Sequence, residues 1–257
     1  MTENSKHPSQ HPLFKERAFD AARRSVIDLC NNIPFETRWE QETPVFAQAI
    51  LRHVMPEDKR LLDYGTGVGR LAKAILERQP NIEILGVDDS PVQLEHARRY
   101  VNNPRFQPIL PQQCHNQVNL VYCVYVLQHI PAISLREALS RMHYWLRPGG
   151  TFIVCTSYSR MAPRFDNCCS FFDDGILGVA IRAEIERLFE PQGDLFLPEE
   201  LQQNDIVRRM VIGDDGRPAP LADGSFGLAH PAIVYRRREI SGPYFDVPMP
   251  AWHIARE

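Results

Sequence analysis

The sequence predicts an α/β fold built on a doubly wound, mostly parallel sheet. Short apolar runs and helix-like segments alternate between residues 60 and 157, which is typical of parallel strands joined by helices. Within this pattern, Leu61-Leu62-Asp63 is an apolar run that ends in a carboxylate, and a glycine-rich turn and a helix follow it. A second apolar run ends at Asp88. This arrangement indicates a βαβ unit with a ligand crevice at the carboxyl ends of its strands.

The elements before and within this unit each carry a local signal. Ser90-Pro91-Val92-Gln93 predicts a capping box with proline at the first helical position, and Ser134-Leu135-Arg136-Glu137 predicts a second box. The near-continuous apolar run Val118–Tyr125 is typical of a strand buried on both faces. The predicted elements are, in order, a helical stripe in 13–30, a helix from Pro44 to about Val54, strand Arg60–Asp63, helix Arg70–Gln79, strand Ile82–Asp88, the helix after Ser90, strand Phe106–Leu110, strand Val118–Tyr125, a helix from Ser134 to Leu146, and strand Thr151–Ser157.

The pattern is less regular beyond Tyr158. A helix is predicted over Asp173–Phe189, and strands are predicted over Val207–Ile212 and Ala232–Arg237. The long loop between these strands indicates a functional segment, since long structureless loops are uncommon in compact domains. The aromatic tail from Ile240 onward has two open interpretations, packing on the outside of the sheet or covering a pocket.

Composition limits the classes of function. The 257 residues are 44% hydrophobic and 24% charged, which is ordinary for a soluble globular protein. Residues 1–12 lack an apolar core and are expected to be a disordered tail, with one domain over 13–257 that comprises a core, 56–158, and a substrate-cover segment with the last strands, 159–257. No apolar run is long enough to span a membrane, and a net charge of −3 gives no footprint for nucleic acid. The cysteines form no C-x-x-C pair, so no metal site is expected and a cytoplasmic location fits best.

The residues of the crevice indicate the kind of ligand. Asp88 can accept hydrogen bonds from both vicinal hydroxyls of a ribose, although a carboxylate there can also cap a helix. Arg70 stands where a dinucleotide fingerprint needs a small residue, which disfavours a pyrophosphate at this turn. Asp63, directly before the turn, favours a ligand with a cationic group.

With these residues in view, the chain resembles the class I S-adenosylmethionine-dependent methyltransferases. Three further segments carry the resemblance: Leu120–Ile130, similar to their fourth strand and the "LQHI" after it; Leu146–Thr151, similar to their "LKPGG" turn; and Arg38–Pro44, similar to a segment of some bacterial members. The resemblance covers roughly residues 38–158. It implies a Rossmann-like methyltransferase fold: a seven-stranded sheet whose last strands add antiparallel, with N-terminal helices and a C-terminal elaboration.

The resemblance also implies roles for individual residues. Asp63 with Gly65, Thr66 and Gly67 would hold the methionine moiety of S-adenosylmethionine, and Asp88 the ribose. Tyr125 would line the site, and Asp89 stands where relatives place an apolar residue against the adenine. The usual adenine-binding acid is missing, because no Asp or Glu occurs between Tyr100 and Arg136; Gln112 or Gln113 is a candidate replacement. Asn119 replaces the acid common near the start of the fourth strand.

Three nearby residues have two interpretations each. Arg38 and Trp39 either reach the cofactor's carboxylate or serve as a solvated arginine and an anchoring aromatic. His129 lies either near the acceptor or in the core. No catalytic residue can be assigned, because methyl transfer depends mainly on positioning.

The predicted function is S-adenosylmethionine-dependent methyl transfer to a small-molecule acceptor, with no nucleic-acid or membrane partner; the chain gives no indication of oligomeric state. Two alternatives stay open. One is a non-catalytic cofactor-binding protein of the same fold, and the other is a nicotinamide-dependent oxidoreductase, which Arg70 disfavours.

Overall fold

Seven strands form one sheet in this structure, a computed structural model that describes residues 18–25, 35–115, 117–130, 132–156, 178–205, 207–208 and 232–240. The strands are β1 (Arg60–Tyr64), β2 (Glu83–Val87), β3 (Phe106–Ile109), β4 (Val118–Val124), β5 (Leu146–Cys155), β6 (Phe189–Asp194) and β7 (Ala232–Arg237). The helices are α1 (Phe19–Ser25), α2 (Phe35–Leu51), α3 (Arg70–Arg78), α4 (Pro91–Val101), α5 (Ala132–Trp145), α6 (Gly178–Leu188) and α7 (Pro198–Gln203).

The strand order is β3-β2-β1-β4-β5-β7-β6, and the first five strands in this order run parallel. β7 pairs antiparallel with both β5 and β6. The doubly wound, seven-stranded, mostly parallel fold is therefore confirmed. The chain runs from β1 outward to β3 and then returns to β4 on the other side of β1, so the carboxyl ends of β1 and β4 flank the switch point where such folds bind ligands.

Apolar side chains cover both faces of the sheet. On one face, residues of α2, α3 and α4, such as Phe46, Leu71 and Ala97, pack with Leu61. On the other face, residues of α5 and α6 pack with the alternate strand positions, including Leu62. Because successive strand residues point to opposite faces, Asp63 shares the face of Leu61 and lies toward α2 and α3.

The sixth strand differs from the prediction. Val207 is helical rather than the start of a strand, and its N–H donates to Asn204 Oδ1 at 3.0 Å, a side-chain bond typical of a helix start. β6 is instead Phe189–Asp194, whose ladder with β7 forms despite Pro191 and Gly193. Tertiary pairing overrides a weak local strand propensity here.

Two helix starts were also predicted wrongly. α2 begins at Phe35 and contains Pro44 in its interior, where the Thr43 hydroxyl donates to the Trp39 carbonyl beside the proline. α5 begins at Ala132, so Ser134 lies within the helix and the capping box predicted there does not form its start. In both cases the helix extends past a residue that often marks a boundary.

Several predicted features lie outside the described residues. These are the tail 1–12, most of the stripe in 13–30, the first part of the cover segment after Tyr158, the loop before β7 and the aromatic tail beyond Ile240. The single domain over 13–257 stays a prediction. No helix in the described part of the chain has the length and apolarity needed to cross a membrane.

Candidate functional site

The glycine-rich turn after β1 is hydrogen-bonded to the end of β2. The N–H groups of Gly65 and Thr66 both donate to the carbonyl of Val87, at 2.7 and 3.0 Å. The next amide, Gly67 N–H, donates to Asp88 Oδ2 at 2.9 Å. Three successive amides therefore fix the turn against β2, and the predicted residues Gly65, Thr66, Gly67 and Asp88 lie together.

The turn also packs against the chain after β4. Gly65 has a φ of 72°, and a Cβ there would lie 2.3 Å from Val126 Cγ2. Only glycine fits both the left-handed backbone and this close approach. The contact brings the glycine turn to the carboxyl end of β4, where Tyr125 lies.

Asp63 lies near the carboxyl end of β1, two residues before Gly65, and is only 4% exposed. Its Oδ2 accepts a hydrogen bond from the Thr66 hydroxyl at 2.8 Å. Burial raises the pKa of Asp63 to about 7, with a smaller upward contribution from Asp88; Thr66, Tyr122 and Arg70 act in the opposite direction. An ionised Asp63 is thus costly until a cation compensates it.

Asp88 is half-buried at the end of β2 and holds two backbone groups. Its Oδ1 accepts from the N–H of Ser90 at 2.9 Å, while Oδ2 accepts from Gly67. Burial raises its pKa to about 6, and these two amides limit the rise. Each carboxylate oxygen has a second lone pair, so Asp88 keeps acceptor capacity for a ligand hydroxyl.

The capping interaction after Asp88 is only partly the one predicted. Ser90 caps α4, because its side chain accepts from Gln93 N–H at 3.3 Å, and Pro91 occupies the first turn. The Ser90 N–H donates to Asp88 instead of to the Gln93 side chain. Asp88 is therefore not the cap of α4 but holds the N–H groups of Ser90 and Gly67, and its contact with a ribose stays a prediction.

Arg70, the first residue of the helix after the glycine turn, is paired with a buried carboxylate. Its guanidinium donates from Nη1 and Nη2 to Glu42 Oε1, at 3.1 Å each, and from Nη1 to Thr43 Oγ1 at 3.1 Å. The Arg70 side chain is 7% exposed and that of Glu42 is fully buried. The pair joins α2 to α3, and sequence reasoning missed Glu42 because the contact spans two helices.

The two glutamine candidates are separated by their hydrogen bonds. Gln113 Oε1 accepts from the N–H of Leu110 at 2.9 Å, so its carbonyl is already engaged in the 3-10 turn Pro111–Gln113. Gln112 is exposed, and its side chain makes no hydrogen bond to the residues that the structure describes. Of the two, Gln112 is therefore the one whose side-chain carbonyl is left to accept from a ligand, and its adenine contact stays a prediction.

We expect Gln112→Leu to weaken binding of an adenine nucleoside by about 0.5–1.5 kcal/mol, the net worth of a neutral hydrogen bond, without loss of stability. The matched change Gln113→Leu should destabilise the turn instead, because it removes the acceptor for Leu110 N–H. Calorimetric titration and thermal unfolding of both variants measure the two effects. Equal affinities in the wild type and Gln112→Leu would contradict the assignment.

The other candidate residues occupy different parts of the fold. Tyr125 follows β4 with a φ of 61°, donates its N–H to Cys155 O at 2.8 Å, and meets Phe46 edge-on at 5.8 Å between ring centroids. Asp89 is exposed beside Asp88. Asn119 lies at the amino end of β4, whereas the glycine turn lies at the carboxyl ends of the strands. Its side chain donates to buried Asp58, so it is not near the glycine turn.

The N-terminal helices anchor on Trp39. Trp39 is 9% exposed, and two guanidinium groups lie over its ring, that of Arg23 at 5.3 Å and that of Arg70 at 5.8 Å from the ring centroid. This geometry favours the anchoring interpretation of Trp39. The Arg38 side chain lies outside what the structure describes, and His129 is half-buried in the 3-10 turn Leu127–His129 after β4.

Among the described residues, no three His, Cys, Asp or Glu side chains gather in a way that would hold a metal ion. The chemical groups of the crevice are therefore two carboxylates, the glycine-turn amides, the Thr66 hydroxyl and the aromatic residue at the end of β4. This set suits a ligand that carries a positive charge and vicinal hydroxyls.

Comparisons with known proteins give one family. A family model described as a methyltransferase domain matches residues 38–199. A carboxy-S-adenosyl-L-methionine synthase of Campylobacter lari is 24% identical over 56% of this chain and 62% of its own length. A trans-aconitate 2-methyltransferase of Methylobacterium radiotolerans is 34% identical over 46% of each chain. The chain thus spans about half to three fifths of the length of these curated relatives.

Solved structures agree with the fold. A Haloferax volcanii methyltransferase, solved with the Trm112 methyltransferase activator, has a TM-score of 0.56 and 15% identity over 88% of this chain and 98% of that chain. The [4+2]-cyclase SpnF has a TM-score of 0.50 and 17% identity over 76% of this chain and 80% of that chain. At such identities the likeness concerns the fold alone.

Proposed function

We propose that this chain, which belongs to the class I S-adenosylmethionine-dependent methyltransferases, transfers the methyl group of S-adenosylmethionine to a small-molecule acceptor. The observation that carries the proposal is the pair of carboxylates, Asp63 and Asp88, at adjacent strand ends beside the glycine turn. Burial raises the pKa of both groups, while the nearby Arg70 is already neutralised by Glu42. A crevice with this charge balance favours a cation.

The donor set fits the cofactor group by group. Asp63, buried near the end of β1, would hold the positively charged methionine part, and the Thr66 hydroxyl keeps the carboxylate in place. Asp88 would accept from the ribose hydroxyls, and Gln112 from the adenine amino group. When bound, S-adenosylmethionine supplies an electrophilic methyl group on a sulfonium. Tyr125, at the end of β4, would line the path from the acceptor to that methyl group.

The chain's own contribution to the reaction is alignment. A displacement at a methyl group requires the nucleophile, the methyl carbon and the sulfur to lie in line, and holding them so can supply much of the rate. The amides of the glycine turn and the Phe46–Tyr125 contact are fixed by packing and hydrogen bonds, which is the rigidity that alignment needs. A carboxylate acceptor needs no base for the transfer, whereas a hydroxyl or a protonated amine would have to give up a proton to a general base or to water.

For the acceptor, we propose a small organic molecule, with polycarboxylic acids as the first class to test. Support comes from the relatives that are named trans-aconitate 2-methyltransferases. Each of them matches about half of this chain. We also propose a cytoplasmic setting without a nucleic-acid or membrane partner, consistent with the slightly negative net charge and with the buried thiols Cys114, Cys123 and Cys155.

Calorimetry with S-adenosylmethionine, S-adenosylhomocysteine and NAD tests the cofactor assignment. We expect both adenosyl ligands to bind and NAD not to bind. Incubation with S-adenosylmethionine and a metabolite library, read by mass spectrometry for a gain of one methyl group, then tests the transfer. Cofactor binding with no methylated product from any library would favour the non-catalytic alternative, and NAD binding alone would overturn the proposal.

Replacing Asp88 tests the ribose contact. Asp88→Ala should weaken S-adenosylhomocysteine binding by about 1.5–3 kcal/mol, the range for hydrogen bonds to a charged group. It should also destabilise the ligand-free protein, because the N–H groups of Gly67 and Ser90 lose their acceptor. Glu77→Gln, a change at an exposed position of α3, is the control and should alter neither quantity. Wild-type affinity in a folded Asp88→Ala protein would contradict the assignment.

A further inference from the structure

The Tyr122 hydroxyl is a polar group whose position the fold alone does not explain. Tyr122 lies on β4 and is fully buried among apolar side chains on the face of the sheet toward α2 and α3. Its hydroxyl makes no hydrogen bond of full geometry to the described residues, although it lies near enough to Asp63 for each group to shift the pKa of the other. A buried hydroxyl without a partner costs about 1–3 kcal/mol, so phenylalanine would serve better if the side chain only filled space.

The strand register places Tyr122 beside Asp63. The two residues are Cα partners across the parallel pair β1 and β4, so their side chains point to the same face at neighbouring positions. Of the two Asp63 oxygens, Oδ2 accepts from Thr66, and no described donor has hydrogen-bond geometry to Oδ1. A buried acceptor with spare capacity thus lies next to a buried donor without a partner.

The charges around Asp63 explain when this donor matters. Asp88 approaches from the end of β2 and disfavours a negative charge on Asp63. The Cys123 thiol on β4 stays neutral, because burial and Asp63 raise its pKa. Arg70 approaches from α3, but its positive charge is paired with the Glu42 carboxylate of α2. The Thr66 and Tyr122 hydroxyls are therefore the neutral donors available to an ionised Asp63.

We propose that Tyr122 is a positioning residue of the crevice, whose hydroxyl donates a hydrogen bond to Asp63 when that carboxylate is ionised and faces the cofactor's cation. The inference rests on the proposed function, since it takes the Asp63 ligand to be the cationic part of S-adenosylmethionine. Tyr122 touches no ligand in this role; it fixes the orientation and charge of the carboxylate that does. Because a phenol donates to a carboxylate without losing its proton, the burial that raises the pKa of Tyr122 does not oppose this role.

The variant Tyr122→Phe removes the hydroxyl alone. We expect its affinity for S-adenosylhomocysteine at pH 8 to fall about tenfold, the lower end for a hydrogen bond to a charged group. The pH midpoint at which affinity rises should move upward, because the ionised form of Asp63 loses a donor. The ligand-free variant should unfold at the same temperature as the wild type or higher. Titration calorimetry from pH 5.5 to 8.5 and thermal unfolding measure these quantities.

Tyr235→Phe is the matched control, because Tyr235 is also fully buried in the sheet but lies on β7, away from the crevice. It should leave the affinity and the pH midpoint unchanged. If Tyr122→Phe binds S-adenosylhomocysteine with the wild-type affinity and midpoint, the inference is wrong while the proposed function stands. If the wild type binds no adenosyl ligand at any pH, the proposed function fails and the inference with it. An affinity loss with an unmoved midpoint would indicate a structural effect and also overturn the inference.

Discussion

Asp63→Asn is expected to abolish most cofactor binding and, in the same protein, to stabilise the ligand-free fold at pH 8. The pKa of Asp63 is raised from 3.8 to about 7, so the folded state binds a proton more tightly than the unfolded state does. The resulting penalty is absent below pH 4, grows as the pH rises from 4 to 7, and is complete above 7. At about 1.4 kcal/mol per pKa unit, the neutral asparagine should recover on the order of 2–4 kcal/mol at pH 8 and almost nothing at pH 4.

The same ionisation governs binding. A cationic ligand favours ionised Asp63, so wild-type affinity should rise from pH 5.5 to 8. The affinity of the asparagine variant should not show this rise. Asp58→Asn is a matched control, because Asp58 is also 4% exposed but contacts Asn119 at the amino end of β4, away from the glycine turn. It should leave the affinity unchanged. Urea unfolding and calorimetry across this pH range measure both effects, and a stability difference between Asp63→Asn and the wild type that does not vary with pH would contradict this explanation.

The second large effect is expected at the Arg70–Glu42 pair. Arg70→Met leaves the fully buried Glu42 carboxylate without its cation, a change that should cost about 4 kcal/mol of unfolding free energy. The double variant Glu42→Leu with Arg70→Met removes both charges and should recover most of the loss, because a well-packed apolar pair can replace a buried ion pair. Urea unfolding at pH 7 gives the three free energies.

An exposed ion pair supplies the control for this experiment. The side chains of Arg60 and Glu83 are 38% and 51% exposed, so Arg60→Met should destabilise far less than Arg70→Met. Similar losses for the two single variants, or a double variant as unstable as Arg70→Met alone, would show that the uncompensated burial of the Glu42 charge is not the main cause of the instability.

The parts of the fold that follow from local pattern were predictable from sequence. β1, β2 and β7 were placed within about two residues, since buried strands of a parallel sheet and its neighbours form continuous apolar runs. β6 was not, because Pro191 and Gly193 weaken its local signal and its strand state depends on β7. The start of α2 was misplaced because proline usually marks a first turn, whereas Pro44 lies in the interior of a helix that begins at Phe35.

The candidate site divides in the same way. Asp63, Gly65, Gly67 and Asp88 follow from a motif of contiguous residues at two strand ends, and the structure brings them together. Glu42 and Tyr122 belong to no motif. Their relation to the site depends on helix packing and on strand register, which the order of residues along one chain does not encode locally.

The hydrogen bonds from Gly65, Thr66 and Gly67 to the end of β2 have a kinetic consequence. They hold the turn in its working shape before any ligand arrives, so the entropy of ordering this turn is not lost at the moment of association. Encounter at this edge of the sheet then proceeds without a folding step, and differences in affinity among variants of the crevice should appear mainly in the dissociation rate. We therefore expect the glycine turn to influence turnover through the residence time of the cofactor rather than through its association rate.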